Sequence, residues 1–225
     1  MWWIARPQPE ADALVQRLNS LGIPAKATPA IRIESLEIDH RVIMELDQFD
    51  TLIVVSKPAA RRLIDEIDQY WPQLPLGIDC IAVGPGTAQI LQDYGFSPRV
   101  PKQADSEGVL ALAQNPRRVL LAAGEGGREL IEQGLAGAEL TRLSLYRRVK
   151  GPVPAESPEA RSVNLWVTSA EIAQAVAEWP HPIAEVWVPS ARVAEAAREV
   201  GLPVTQVLGS ASDDSFIQAV LKDRV

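Results

Sequence analysis

Cysteine and histidine are scarce in this chain of 225 residues. It has one cysteine, Cys80, and two histidines, His40 and His181. One cysteine excludes an internal disulfide framework and a cysteine-rich metal site, and two histidines alone cannot form a histidine metal cluster. We therefore expect no disulfide and no metal centre, with Cys80 in the core and both histidines at the surface.

Long apolar runs and an excess of positive charge are also missing. No apolar run approaches the ~20 residues needed to cross a bilayer, and residues 1–6 lack the basic start and long apolar stretch of a secretory signal. Lys and Arg together number 22 against 29 Asp and Glu, which gives a net charge of −7. We therefore expect a cytoplasmic protein that binds neither nucleic acid nor membranes. Any anionic ligand must be held by local groups.

Short apolar runs alternate with amphipathic stretches along the chain. This alternation is typical of an α/β fold, in which crossover helices cover both faces of a parallel sheet. Apolar stripes predict the helices, as where Leu14 and Leu18 lie between Pro9 and Gly22. The predicted strands are residues 2–5, 51–55, 80–83, 119–122, 143–146, 163–167, 185–188 and 204–207, with weaker candidates at 25–28 and 97–100.

The sequence contains an internal repeat. Residues 51–63 align with 164–176, so that Ser56 faces Ser169, and residues 83–96 align with 189–202, so that Gly95 faces Gly201. Each matched segment contains a predicted strand, a turn and a predicted helix. The alternative is that any two such units look alike, but two ordered matches favour two lobes of the same fold.

A third match predicts how the two lobes are connected. Residues 2–23 resemble 119–140, but this unit precedes its lobe in one copy and follows it in the other. The first lobe is therefore predicted to be discontinuous, with residues 1–33 plus 152–225, and the second lobe to comprise 36–148. The chain would cross between them near 31–36 and 146–153, and the prolines of 151–162 favour a linker there.

The loops at the carboxyl ends of the predicted strands carry the candidate binding residues. Parallel sheets bind ligands at this end, where helix N-termini offer free N–H groups. The loops are rich in small, hydroxylated and basic residues, which are also good turn residues and helix caps. Together they predict a polar cleft for an anionic ligand. The candidates are Arg6, Ser56, Lys57, Gly84, Thr87, Gly124, Arg128, Ser169, Ala170, Ser190 and Arg192.

Common catalytic and cofactor motifs are not found. Around Gly124 the third glycine of a dinucleotide fingerprint is replaced by Glu129, and the chain has neither a phosphate-binding loop nor a nucleophile elbow. The remaining candidate for chemistry is Tyr146, which ends a predicted strand beside Arg147 and Arg148. It is either a proton donor facing the cleft or a strand-end residue that packs its ring and exposes its hydroxyl.

The assembled motifs resemble the uroporphyrinogen-III synthase family over essentially the whole chain. They are IARP with Arg6, VVSKPA, VGPGTA followed by Gly95, VLLAAGEGGREL with Arg128, SLYRR with Tyr146, and VTSAEI with Ser169. The resemblance implies two flavodoxin-like lobes with parallel sheets, joined by a two-stranded linker. It implies a lyase that cyclises linear hydroxymethylbilane to uroporphyrinogen III in heme biosynthesis, with loss of water and inversion of ring D. No cofactor is implied.

The resemblance also implies residue roles. Tyr146 would be the acid that assists departure of the hydroxyl, and Ser56, Thr87 and Ser169 would hold carboxylate arms. One departure is Val193, where the family commonly has threonine. We further expect a monomer in transient contact with hydroxymethylbilane synthase. The alternatives are a non-catalytic two-lobed protein that binds or senses a small anion, and a degenerate family member kept as a scaffold.

Overall fold

The computed structural model describes residues 1–126, 129–155 and 162–224. In this part of the chain the strands are β1 (Trp2–Ile4), β2 (Ala25–Ala27), β3 (Ile31–Ser35), β4 (Thr51–Val54), β5 (Asp79–Ala82), β6 (Arg118–Gly124), β7 (Glu139–Lys150), β8 (Val163–Trp166), β9 (Ile183–Val188) and β10 (Val204–Val207). The α-helices are α1 (Glu10–Ser20), α2 (His40–Met44), α3 (Lys57–Tyr70), α4 (Pro85–Tyr94), α5 (Ser106–Leu112), α6 (Leu130–Gly134), α7 (Ala170–Val176), α8 (Ala191–Glu199) and α9 (Asp213–Asp223).

The chain forms two compact units. Unit 1 comprises Met1–Ile33 and Val149–Val225, and unit 2 comprises Glu34–Arg148. The chain passes from unit 1 to unit 2 within β3 and returns within β7, and these two strands are neighbours in one sheet. For comparison, the sequence predicted a first lobe of residues 1–33 plus 152–225 and a second lobe of residues 36–148.

Unit 1 contains a five-stranded parallel sheet in the order β2-β1-β8-β9-β10. This is the flavodoxin order, in which the chain starts near the middle of the sheet and winds outwards in both directions. One face of the sheet packs an aromatic cluster, in which Trp2 contacts Trp187 with ring centroids 4.7 Å apart. Trp166 stacks on Phe216 of α9 at 4.5 Å. Burial of these large rings fixes α9 against the sheet.

Unit 2 repeats this order with β5-β4-β6-β7, and β3 occupies the edge beside β7. The pairs of β4 with β5, β4 with β6 and β6 with β7 are parallel. The side chains of the central strands β4 and β6 are nearly all apolar because helices cover both faces. The predicted fold class, α/β with two flavodoxin-like lobes, is confirmed.

The internal repeat corresponds to matching helix ends. The hydroxyl of Ser56 accepts the Ala59 N–H at the start of α3, and the hydroxyl of Ser169 accepts the Ile172 N–H at the start of α7. Gly95 follows α4 with φ +118°. A positive φ at this position lets the chain leave a helix and favours glycine. The repeated letters therefore mark N-caps and C-terminal turns.

Several sequence predictions of local structure were wrong. The strand predicted at 143–146 extends from Glu139 to Lys150, so Tyr146 lies inside β7. The polar residues near both ends of β7 made the strand look shorter in the sequence than it is. The weaker strand predicted at 97–100 is absent, because these residues form only one bridge, between Arg99 and Ile81. The crossing predicted near 31–36 coincides with β3. Residues 156–161 of the predicted linker lie outside the described residues.

The prediction that His181 lies at the surface was also wrong. The residue is buried, its ring centroid lies 4.8 Å from that of Trp3, and its Nε2 shares a hydrogen bond with the Ala155 carbonyl at 3.1 Å. The flanking prolines mark a bend, and at this bend the His181 ring packs against Trp3, which also contacts Trp179. Cys80 is buried as predicted, and burial together with the charge of Asp79 raises the pKa of its thiol to about 12.

No helix in the described ranges is both long and apolar enough to cross a membrane.

Asp50 joins the starts of two strands of unit 2, and this predicts a pH-dependent stability. Its carboxylate accepts the N–H groups of Arg117 and Arg118 at 3.0 and 3.1 Å and the Thr51 hydroxyl at 2.9 Å. Partial burial alone would raise the pKa of Asp50. The hydrogen bonds from Arg118, Arg117 and Thr51 and the charge of Arg117 outweigh burial, so the pKa is lowered.

A lowered folded-state pKa stabilises the fold in full above the unfolded value of about 3.9, and this stabilisation is lost as the pH falls through the folded-state value. We expect Asp50→Asn to lower the free energy of unfolding by about 1–3 kcal/mol at pH 7. The difference from wild type should vanish at low pH. Urea denaturation from pH 7 to pH 2 measures it, with the exposed Asp65→Asn as control. A loss of equal size at every pH would contradict the role of the charge.

Candidate functional site

Unit 2 has a cavity of about 460 Å³ at the carboxyl ends of its parallel strands. The ends of four neighbouring strands, β5, β4, β6 and β7, supply its walls, because parallel strands all end at the same edge. The α5 N-terminus closes one side. The lining residues are Val55, Ser56, Val83, Ala104, Asp105, Ser106, Leu121, Ala123, Gly124, Glu125, Gly126, Ile131, Arg142, Tyr146 and Arg148.

Tyr146 is buried at the wall of this cavity, and its hydroxyl has two polar neighbours. The Ser56 Oγ lies 3.0 Å from the phenol oxygen, and Arg148 Nη2 donates to that oxygen at 3.2 Å. The Arg148 guanidinium also lies over the ring, 5.5 Å from its centroid. The phenol oxygen is therefore held in one place next to a positive charge.

Gly124, at the end of β6, provides the surface on which the Tyr146 ring lies. A Cβ atom at this position would be 2.7 Å from the ring Cζ and 3.0 Å from the hydroxyl oxygen. Real Cβ atoms do not approach so closely. The next residue, Glu125, donates its N–H to the Tyr146 carbonyl at 2.7 Å. Glycine is therefore required at 124 for the ring to lie in its observed place.

The other predicted residues of unit 2 lie at the starts of α3 and α4. Gly84 is the residue before α4, and Thr87 is buried in its first turn. The side chain of Lys57, at the start of α3, passes directly over Gly86 of α4. A Cβ atom added to Gly86 would lie 2.5 Å from the Lys57 Cε. This brings an ammonium group to the positive end of the α4 dipole, which favours a nearby anion. The cavity itself brings together Ser56, Gly124 and Tyr146.

The cavity residue Arg142 was missed by the sequence analysis, and Arg148 was noted beside Tyr146 but was not chosen as a site residue. Both lie on β7 at even spacing from Tyr146, and side chains two residues apart along a strand point to the same face. This even spacing is the sequence signal that could have identified Arg142 and Arg148 as site residues. The predicted Arg128 lies outside the described residues.

Unit 1 has its own set of predicted residues at the ends of β8 and β9. Ser169 and Ser190 cap α7 and α8 by accepting the N–H groups of Ile172 and Val193 at 3.2 and 3.4 Å. Ala170 is the first residue of α7, and Arg192 lies exposed in the first turn of α8. An N-cap hydroxyl that accepts from the backbone keeps its own hydrogen as a donor.

Arg6 follows β1 in unit 1, and its guanidinium is bound by the start of α9. Nη1 and Nη2 donate to the two carboxylate oxygens of Asp213 at 2.6 and 2.9 Å, and Nη2 also donates to the Glu10 carbonyl at 2.6 Å. The Arg6 side chain is only 12% exposed. This bidentate pair joins β1, α1 and α9.

We therefore expect Asp213→Asn to destabilise unit 1. It leaves Arg6 partly buried without its carboxylate, so the free energy of unfolding should fall by about 1.5–3 kcal/mol. The matched control is Asp214→Asn, which breaks the exposed pair with Arg17 and should cost about 0–1 kcal/mol. Chemical denaturation of the two variants measures both values. Equal losses would show that the Arg6 pair is no stronger than a surface pair.

Among the described residues, no group of three or more His, Cys, Asp and Glu side chains is arranged to hold a metal ion. The carboxylates of Asp105 and Glu125 line part of the cavity, and the other polar groups at the strand ends are hydroxyls, backbone N–H groups and cations. Such groups bind carboxylates and stabilise a departing oxygen. The fold and the cavity thus define a doubly wound α/β protein with a polar cavity at its strand ends and the Tyr146 hydroxyl at the cavity wall.

Comparison with known proteins identifies the family. The family model for uroporphyrinogen-III synthase HemD matches residues 12–218. The uroporphyrinogen-III synthases of Escherichia coli and Salmonella typhimurium are each 32% identical, over 76% of this chain and 76% of theirs. The chain belongs to the uroporphyrinogen-III synthase family, as its motifs predicted.

Solved structures show the same fold. The uroporphyrinogen-III synthetase of Helicobacter pylori aligns with a TM-score of 0.66 at 19% identity and covers 99% of each chain. A mutant uroporphyrinogen III synthase of Thermus thermophilus aligns with a TM-score of 0.65 at 18% identity, over 98% of this chain and 97% of that one. At these identities the likeness concerns the fold.

Proposed function

We propose that this chain closes linear hydroxymethylbilane to uroporphyrinogen III, with loss of water and inversion of ring D. Family membership supports the reaction. The observation that carries the chemistry is the Tyr146 hydroxyl, held by Ser56 and Arg148 at the wall of the unit 2 cavity. It is a lyase reaction, and the chain's own side chains supply its acid.

Tyr146 is the acid in this proposal. When Ser56 and Arg148 both donate to the phenol oxygen, the phenol hydrogen remains available to the terminal hydroxyl of the substrate. The carbon–oxygen bond then breaks, the hydroxyl leaves as water with that proton, and the terminal ring becomes an azafulvene. The pyrrole N–H proton lost in forming the azafulvene returns to the phenolate, so Tyr146 is restored and the substrate has lost one water in total. Arg148 stabilises the phenolate in the interval.

The substrate's carboxylates are bound by donors at the strand ends of each unit. In unit 2 these are Lys57, Thr87 and the backbone at Gly84 and Gly124, whereas the one hydroxyl hydrogen of the predicted Ser56 is donated to Tyr146. In unit 1 they are Ser169, Ser190, Arg192 and the backbone at Ala170. Arg6 is not among them, because Asp213 and Glu10 occupy its Nη groups. Arg128 stays a prediction of the sequence.

These local donors are needed because the chain carries a net charge of −7 and the substrate is a polyanion. Each bound carboxylate removes rotational freedom from the bilane. A large part of the acceleration therefore comes from folding the substrate so that the correct ring carbon meets the reactive end. The same restriction favours the inverted ring over the uninverted one.

The proposal includes a cytoplasmic monomer that receives its substrate by transient contact with hydroxymethylbilane synthase. The chemistry supports this part, because the linear bilane cyclises unaided to the uninverted isomer. A short path between the two enzymes lowers that loss.

The test is a coupled assay with purified protein. Hydroxymethylbilane is generated in place with its synthase, the chain is added, and the products are oxidised and separated as type I and type III uroporphyrins. We expect type III to form in proportion to added protein. Type I alone, from protein shown to be folded by circular dichroism, would refute the proposal. Saturable binding of the bilane without turnover would then favour the anion-binding or sensor alternative.

A further inference from the structure

Arg142, on β7, binds the loop that follows β6. Nη1 donates to the Glu132 carboxylate on α6 at 2.7 Å, and Nη2 donates to the carbonyl oxygens of Gly124, at 2.8 Å, and of Gly126. One guanidinium thus joins β7, α6 and both ends of the segment 124–126. Only the planar fork of an arginine can reach three acceptors in this way.

The same segment contacts Tyr146 directly. The ring of Tyr146 lies on Gly124, and Glu125 donates its N–H to the Tyr146 carbonyl. Any shift of the Gly124 carbonyl therefore moves the surface under the ring. Since the hydroxyl is held at 3.0 Å from Ser56 and 3.2 Å from Arg148, a small tilt of the ring breaks both hydrogen bonds.

Arg142 also lines the cavity, so the other possible role is direct binding of a substrate carboxylate. Its contacts argue against this role. The Glu132 carboxylate already neutralises it at 2.7 Å, and both Nη groups donate to protein acceptors. A substrate carboxylate would have to displace at least one of these strong, charge-assisted bonds.

We infer that Arg142 is a positioning residue, which fixes the 124–126 loop so that the Tyr146 hydroxyl stays aligned for proton transfer. The inference rests on the proposed function for its kinetic consequence. It also has a structural consequence, namely that the environment of the Tyr146 ring depends on Arg142, which holds whatever the reaction is.

The kinetic test compares Arg142→Gln with wild type in the coupled assay. We expect kcat for type III formation to fall by about 10-fold or more, with KM within about twofold, because misplacing a reacting group costs rate more than binding. Arg142→Lys, which keeps the charge but not the fork, should recover only part of kcat. A raised KM with unchanged kcat would show that Arg142 binds substrate.

Glu132→Gln separates the two roles by the sign of its effect. It weakens the hold on Arg142, so a positioning role predicts a lower kcat. If Arg142 binds a substrate carboxylate, removal of the competing Glu132 charge lowers KM instead.

The matched control for Arg142→Gln is Arg118→Gln. It breaks another arginine–glutamate pair in the same sheet, with Glu139 at 3.3 Å, and should leave kcat unchanged.

A double-mutant cycle tests whether Arg142 acts through Tyr146. In a Tyr146→Phe background, Arg142→Gln should change kcat by less than about twofold, because the group it positions is gone. Independent effects that multiply would overturn the inference.

A spectroscopic readout does not depend on activity. The chain has three tyrosines, so ¹³Cζ-tyrosine labelling gives three NMR signals that Tyr→Phe variants assign. Arg142→Gln should shift the Tyr146 signal and leave those of Tyr70 and Tyr94 in place, and Arg118→Gln should shift none of them. An unmoved Tyr146 signal refutes the inference, whereas absent type III formation by wild type refutes the proposed function.

Discussion

Replacing Tyr146 with phenylalanine should lower kcat for type III formation by about 10²–10⁴-fold, the usual contribution of a general acid. The ring remains on Gly124, but the proton and the bonds to Ser56 and Arg148 are lost. Spontaneous cyclisation then competes, so the product should shift towards type I. The ratio of the two isomers at fixed protein concentration measures the change, and circular dichroism checks that the variant is folded.

Tyr94→Phe is the matched control for this prediction. It also removes a phenol that is hydrogen-bonded, in this case to Asp68 at 3.3 Å, but Tyr94 lies outside the cavity lining. The free energy of unfolding should fall by about 0.5–1.5 kcal/mol in each variant per lost bond. Only Tyr146→Phe should lose activity. Wild-type turnover by Tyr146→Phe would remove the acid role from this residue.

Gly124→Ala should produce the second largest effect. Its added methyl group would lie 2.7 Å from the Tyr146 Cζ, so either the ring or the loop must move. Overpacking of this kind costs about 1–3 kcal/mol of stability. Because displacement of a reacting group by about 1 Å can cost 10²-fold in rate, we expect kcat to fall by about that factor. Thermal unfolding and the coupled assay measure the two effects.

Two further variants test the cause of that loss. Gly137→Ala adds the same methyl group in unit 2 where nothing lies within 4 Å, and it should leave kcat unchanged. Adding Tyr146→Leu to Gly124→Ala removes the Cζ and should restore much of the stability without restoring activity. If stability is not recovered, the damage does not arise from the contact between these two residues.

Elements with a strong local pattern were predictable from the sequence. The strand at Thr51–Val54 and the helix after Ser56 are an example, because a buried parallel strand is continuously apolar and a serine N-cap has a local partner. β7 was predicted too short, since its alternating polar residues resemble a loop. Glu66 of α3 is buried between Arg62 and His40, and no pattern in the sequence indicates this burial.

The candidate site was only partly predictable, because some of its contacts join residues that lie far apart in the sequence. Tyr146, Ser56 and Gly124 were chosen one by one as residues at strand ends, and parallel strands do end at one edge. Arg142 is a counterexample, because its partners Gly124 and Glu132 come from another strand and a helix. Arg6 was chosen for its charge, and no local pattern indicates that Asp213, far along the chain, binds it.

The sequence by itself determined the α/β alternation, the repeat, the family and the loops at the strand ends that hold the candidate residues. These depend on local hydrophobic periods, caps and motif order, all of which can be read from neighbouring residues. Only the tertiary structure decided which cations are held by carboxylates, that the Tyr146 ring lies on Gly124, and that Arg142 fixes the loop beneath it. Such contacts join residues from different strands and helices, and their distances arise only when the sheet of unit 2 has formed.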